Sequence, residues 1–229
     1  MKLLALETAD RHCSVALCNG GWLEQRLERD ARRHAEHLLP MIHDLLDEAS
    51  LTLAELDGIV VDAGPGSFTG IRTGISMAQG FGLALGLQLY PVCSLAALGQ
   101  AARASGLPAP VLAVQDARMG EVYWALVGES GHLLTPPALH SPATLPLDTL
   151  PHPPAAAVGT GLALIQDRLK ATVPQALPAP EPFLQARWLL PLAQEIQPVT
   201  ATELHPLYVR NQVADERARV QPSPDVSPP

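Results

Sequence analysis

Apolar residues gather in short runs near the start of the chain and at helical spacing just after. Leu3–Leu6 and Ser14–Leu17 predict two strands around the polar stretch Glu7–His12, and Trp22–Leu27 predicts a third after Gly20-Gly21. Ala35, Leu38, Leu39, Ile42, Leu45, Leu46 and Ala49 then form the stripe of an amphipathic helix. Pro40 lies inside it, so the helix starts late or kinks there. Ile59-Val60-Val61 predicts a buried strand, which Gly64-Pro65-Gly66 ends with a tight turn. A helix of small residues follows, and Leu87–Val92 predicts another strand.

The order β-β-β-α-β-α-β suggests a ribonuclease-H-like α/β unit with a mixed sheet. A shorter echo follows Ser105-Gly106-Leu107-Pro108. Val111–Val114 leads into the polar turn Gln115–Gly120, and Glu121–Val127 returns as a strand. Ala155–Val158 runs into Gly159-Thr160-Gly161, a fainter copy of the first glycine turn. The pattern predicts two related lobes, at residues 1–104 and 105–211, with residues 130–154 as a Pro-rich insert. Residues 212–229 read as a disordered tail.

The turn Gly64-Pro65-Gly66-Ser67-Phe68-Thr69-Gly70 is the most informative stretch. Ser67 and Thr69 offer helix N-caps, and a strand, turn and helix in that order aim backbone N–H groups at one point. Gly64, Gly66, Ser67, Thr69 and Gly70 are therefore candidate phosphate or nucleotide contacts; the alternative is a turn without a ligand. A P-loop is excluded, because Ile71 and Arg72 stand where Lys and Ser or Thr belong. A dinucleotide fingerprint is excluded too, since no acidic residue occurs between Asp62 and Asp116. Gly70, Gly74, Ala78, Gly82 and Gly86 recur along one side of the helix. Interior glycines cost about 1 kcal/mol each, so this ridge calls for close approach of its own sheet or of another chain.

Composition narrows the picture. The 229 residues are 47% hydrophobic but only 4% aromatic, enough for a core built from Leu, Ala and Val. A net charge of −8 argues against holding nucleic acid unaided, and Arg26, Arg29, Arg32 and Arg33 are offset by acidic neighbours. Cys13, Cys18 and Cys93 have no metal or redox spacing, which fits a reducing cytosol. Glu7 and Asp10 end the first apolar run too soon for a signal peptide. Thr73–Ala102 carries no charge, which raises a membrane span, but Gln79, Gln88, Pro91 and the glycines favour a buried helix and strand.

No self-sufficient active site is visible. His34 and His37 lack the His-Glu-x-x-His metal pattern, and with His43 they read as helix-surface residues. Glu7 and Asp116, each near a strand end in its lobe, could flank a cleft and hold magnesium, or could be structural turn carboxylates. Ser67 lacks a nucleophile elbow.

Five segments carry a resemblance. Leu4-Ala5-Leu6-Glu7-Thr8, His37-Leu38-Leu39-Pro40-Met41-Ile42, the turn from Gly64 to Arg72, the stretch Asp116–Tyr123 and Pro206-Leu207-Tyr208-Val209-Arg210 together resemble the TsaB family. That family is the bacterial partner in making N6-threonylcarbamoyladenosine beside the tRNA anticodon, and its fold is of the actin and sugar-kinase class. The resemblance implies a cytoplasmic, non-catalytic subunit that binds and activates TsaD, with the ATPase TsaE in the same assembly and tRNA reached only through the complex. TsaD carries a His-x-x-x-His metal pair after the matching strand; Ser94 and Leu98 stand there instead, so no metal is expected. The resemblance also implies a four-helix bundle for homodimer and TsaD heterodimer alike. Leu38, Leu39, Ile42, Leu45, Gly70, Gly74, Ala78 and Gly82 are the expected interface, with the glycine ridge facing mostly outward. The rival expectation is a weak nucleotide-binding enzyme of the same fold, kinase-like or glycopeptidase-like, that takes ATP or ADP with magnesium.

Overall fold

The computed structural model describes residues 1–29, 34–179 and 183–209. Arg32, Arg33, Arg210 and the tail expected at 212–229 lie outside the described residues, as do the side chains of His34 and Ala35.

The alternating apolar runs close into a first sheet of five strands, ordered β3-β2-β1-β4-β5. These are β1 (Lys2–Glu7), β2 (Cys13–Asn19), β3 (Trp22–Glu28), β4 (Gly58–Gly64) and β5 (Gln88–Cys93). β1 pairs antiparallel with β2 and parallel with β4, so the sheet is mixed. Its helices are α1 (His34–Glu48) and α2 (Phe68–Leu85). Pro40 lies within α1 and is exposed, so the helix does not start late. The stripe residues Leu38, Ile42 and Leu45 are completely buried in the first core. Burying a Leu or Ile side chain stabilises by about 1.5–3 kcal/mol, which is why the stripe decides the face.

A second five-stranded sheet, ordered β10-β9-β6-β7-β8, repeats the plan. Its strands are β6 (Val111–Arg118), β7 (Glu121–Val127), β8 (Ala138–His140), β9 (Ala156–Val158) and β10 (Leu177–Ala179). α4 (Leu162–Thr172) covers it through Leu162, Ile165 and Leu169. The two-lobe α/β fold with mixed sheets is thus the one the strand pattern predicts.

The helix α3 (Ser94–Ala104), which the pattern does not reveal, is wedged between the lobes. Ala96 and Ala97 belong to the first core, while Leu95, Leu98 and Ala102 pack on the second sheet. The uncharged stretch 73–102 is therefore α2, β5 and a helix buried on both sides. No helix among the described residues is long and apolar enough to cross a membrane.

The C-terminal segment corrects the expectation that residues up to 211 belong to the second lobe. Leu184, Ala186, Leu189, Leu192, Ala201 and Leu204 are buried in the first lobe's core. Val199 exchanges backbone hydrogen bonds with Leu89, and Gln79 Nε2 donates to the carbonyls of Ala201 and Leu204. The segment belts the first lobe and ends in the cleft between the two.

Candidate functional site

The glycine turn sits where β4 ends and α2 begins, and its glycines face the chain's own backbone. A Cβ on Gly66 would lie 2.4 Å from the Ala9 carbonyl oxygen, and one on Gly70 would lie 1.9 Å from that of Thr8. Only glycine allows that approach. Ser67 N–H donates to Ala9 O at 2.7 Å, and Thr8 Oγ1 donates to Gly70 O at 2.7 Å. Ser67 caps α2 by accepting from Gly70 N–H at 3.2 Å, while the Thr69 carbonyl accepts from Thr73. The turn clamps the first strand pair onto α2, which accounts for its glycines without a phosphate. The second lobe does the same, since a Cβ on Gly159 would lie 2.1 Å from Val114 O.

The ridge on α2 corrects the expected interface. Gly70, Gly74, Ala78 and Gly82 are buried against the chain's own sheet, not turned outward. A Cβ on Gly74 would meet Thr8 Oγ1 at 2.7 Å, and one on Gly82 would meet Leu89 at 3.2 Å. With Leu38, Ile42 and Leu45 also buried, Leu39 alone of the named interface residues is exposed. The outward face of α2 is different: Ser76, Gly80, Leu83 and Ala84 are exposed, Leu83 at 71%, and Thr73 and Met77 are half-buried. Beyond Arg72, which borders it beside Thr73, Ser76 and Met77, it carries no charge.

Between the lobes lies a cleft of about 770 Å³. The first lobe contributes Asp10, Arg11, Gly66, Ser67, Phe68, Thr69 and Arg72; the second contributes Gln115, Asp116, Arg118, Tyr123 and Thr160; Pro206–Val209 close one side. Gly66, Ser67 and Thr69 of the expected turn thus reach the cleft, and Gly64 and Gly70 do not line it. Arg72 stacks over the Phe68 ring at 3.3 Å and donates to Tyr208 Oη. Leu207 N–H donates to Ala63 O at 2.7 Å, which fixes the end of the belt beside the turn.

The expected carboxylate pair is only half present. Asp116 lines the cleft, held 3.2 Å from Arg118 Nη1 and receiving that residue's N–H at 2.8 Å. Glu7 is completely buried below the cleft, a correction to its expected place; Asp10 lines the cleft instead. Glu7 accepts from the N–H groups of Ala9 and Asp10 and from Ser14 Oγ, so its work is to shape the turn. Burial raises its pKa well above the ordinary value, helped by Asp62 and Asp10 nearby. Asp62, which sequence reasoning missed inside a β-branched run, accepts from Gly64 N–H at 2.8 Å and from Ser94 Oγ at 2.5 Å. Burial pushes its pKa up to about 7.

Ser94 is therefore committed to Asp62 inside the fold, and Leu98 is buried against the second sheet. Neither residue offers a metal a donor atom. Among the described residues no three His, Cys, Asp or Glu side chains form a metal-binding group. His37 is half-buried and His43 exposed on α1.

Comparison with known proteins decides the family. Residues 28–176 match the family model of TsaD, the tRNA N6-adenosine threonylcarbamoyltransferase. The chain is 33% identical to the tRNA threonylcarbamoyladenosine biosynthesis protein TsaB of Haemophilus influenzae, over 93% of this chain and 95% of that protein. The chain belongs to the TsaB family. The TsaB of Escherichia coli is 42% identical, but that alignment spans 55% of this chain and 54% of the relative. The solved structure of YeaZ from Pseudomonas aeruginosa superposes with a TM-score of 0.77 at 37% identity, covering 90% of this chain and 99% of that one. A second P. aeruginosa structure, described as an uncharacterized protein with similarity to peptidase YeaZ, gives 0.78 at 36% identity over 91% and 99%.

Proposed function

We propose that this chain is a non-catalytic subunit of the cytoplasmic machinery that makes threonylcarbamoyladenosine in tRNA, and that it binds and activates a TsaD-type transferase. The observation that carries the reading is the uncharged outer face of α2, with Leu83 at 71% exposure and no charged residue between Arg72 and Arg103. An exposed helix face without charge suits a partner helix, and interface cores are depleted of charge. Ser94 and Leu98 support the non-catalytic part, because both are committed to packing where the TsaD resemblance implies a metal pair. Homodimerisation through the same face, a TsaE-type ATPase and tRNA held by the whole complex complete the proposal.

The test is a single charge on that face. Leu83→Asp should leave the chain folded, since the side chain is outside the core, and should weaken binding to a TsaD-type partner at least about tenfold by placing a carboxylate in an apolar contact. Unchanged affinity in a folded Leu83→Asp protein would remove α2 from the interface.

A further inference from the structure

The Pro-rich stretch at residues 130–154 wraps the second lobe, and a single side-chain bond reinforces its middle. Its start is fastened to β7: Leu134 N–H donates to Leu126 O at 2.7 Å, and Leu126 N–H donates to Thr135 Oγ1 at 2.9 Å. β8 then pairs with β7 over only three residues at the edge of the sheet. Pro136-Pro137 before it and Pro142 after it lack backbone donors, so the ladder cannot lengthen. What reinforces β8 is Trp124 Nε1, which donates to Nδ1 of the half-buried His140 at 2.9 Å, with the rings 5.9 Å apart. Trp124 is 5% exposed and belongs to the second lobe's core. An indole nitrogen only donates, so this bond fixes His140 as the neutral ring with its proton on Nε2. A proton on Nδ1 sets donor against donor and leaves the indole N–H buried without an acceptor.

We propose that Trp124 and His140 form an acid-sensitive latch: a proton on His140 frees β8 and bares the edge of β7. Imidazole is the side chain whose charge changes between about pH 5 and pH 8. The groups around it do not offset that charge. From β7, Val122 stands opposite His140, while Glu121 and Tyr123 alternate to the other face of the sheet. β6 contributes Leu112 and Val114 to the core beneath, and the stretch after β8 contributes Leu145 and Leu147, all of them apolar. From α4 comes Arg168, which donates to the carbonyls of Pro142, at 3.0 Å, and Ala143. Its carboxylate partner Asp148 lies 3.8 Å away and is 71% exposed. An imidazolium at 140 therefore adds a second positive charge to a stretch that Arg168 already holds. Release leaves the anchors at Leu134 and Arg168 in place, so the change is confined to β8 and the strand edge it covers. An uncovered strand edge offers unpaired N–H and C=O groups to another chain. The inference is independent of the subunit reading, since it concerns the isolated chain.

Hydrogen exchange of the full chain at about pH 5 and about pH 7.5, corrected for the intrinsic rate, tests it. In the parent, the amides of β8 and those of β7 at 122–124 should lose protection about tenfold at the lower pH, and those of β1 and β4 should not. His140→Asn keeps an acceptor for Trp124 without titrating, so its protection should be the same at both pH values. His140→Leu removes the acceptor and should show the low protection at both. The indole N–H resonance of Trp124, assigned by its loss in Trp124→Phe, needs no variant at 140 and should move upfield as the proton is taken up. Unchanged protection or an unmoved resonance in the parent, an acid loss in His140→Asn equal to the parent's, or a loss shared by β1 and β4 would overturn the latch.

Discussion

Asp62 is buried with only one of its two oxygens satisfied: Oδ1 accepts from Gly64 and Ser94, and Oδ2 has no partner. Its pKa stands at about 7 in the fold against an ordinary 3.8. Between those values the unfolded chain gives up the proton and the folded chain keeps it. Stability therefore falls as pH rises from about 4 to about 7 and levels off above that. Glu7, raised by burial, acts in the same direction. Asp62→Asn keeps an acceptor for Gly64 and Ser94 and removes the buried charge. It should be more stable than the parent at pH 8, on the order of 2–4 kcal/mol, with the gap closing below about pH 5. Urea unfolding at the two pH values checks this, and a gap that does not depend on pH would contradict it. The sequence hides this residue: in Ile59-Val60-Val61-Asp62 the pattern reads only as strand, and nothing local says that Ser94 will meet it.

At the scale of elements, α2 separates what periodicity reveals from what it does not. The small-residue ridge is visible in the sequence, but which neighbour it meets is not, because an intramolecular sheet and a partner helix ask for the same small side chains. The structure puts Thr8 and Leu89 there. Gly74→Leu should consequently cost the fold itself about 1–3 kcal/mol or more by overpacking against Thr8, and not act on an interface alone. Thermal unfolding of Gly74→Leu beside Leu83→Asp distinguishes the two faces: the first should melt several degrees lower, the second close to the parent. A Gly74→Leu protein as stable as the parent would contradict the inward ridge. The strands β1 to β7 lie close to their expected places, since each alternates or runs apolar. α3 escaped because it is buried on both sides and so lacks a polar face to give it a helical stripe.

At the scale of the whole molecule, the two glycine turns face each other across a cleft, and a belt from the C-terminal end returns to close it. The echo of strand, polar turn and strand made the lobes legible. The belt was not, because Leu184–Leu204 is irregular and its burial depends on contacts far away in the chain. Removing residues 199–229 should expose α2 near Gln79 and the β5 edge at Leu89, and lower the denaturant midpoint with a loss of about 2 kcal/mol or more. An unchanged midpoint would make the belt an ornament of the fold. The central claim is that the chain activates a transferase without performing the transfer. Its most direct test is threonylcarbamoyl transfer to tRNA by a TsaD-type transferase and TsaE-type ATPase, measured with this chain, without it, and with Leu83→Asp. The account predicts transfer with the parent chain and little or none with the variant or without either. Full transfer in its absence, or transfer by this chain without the transferase, would contradict it.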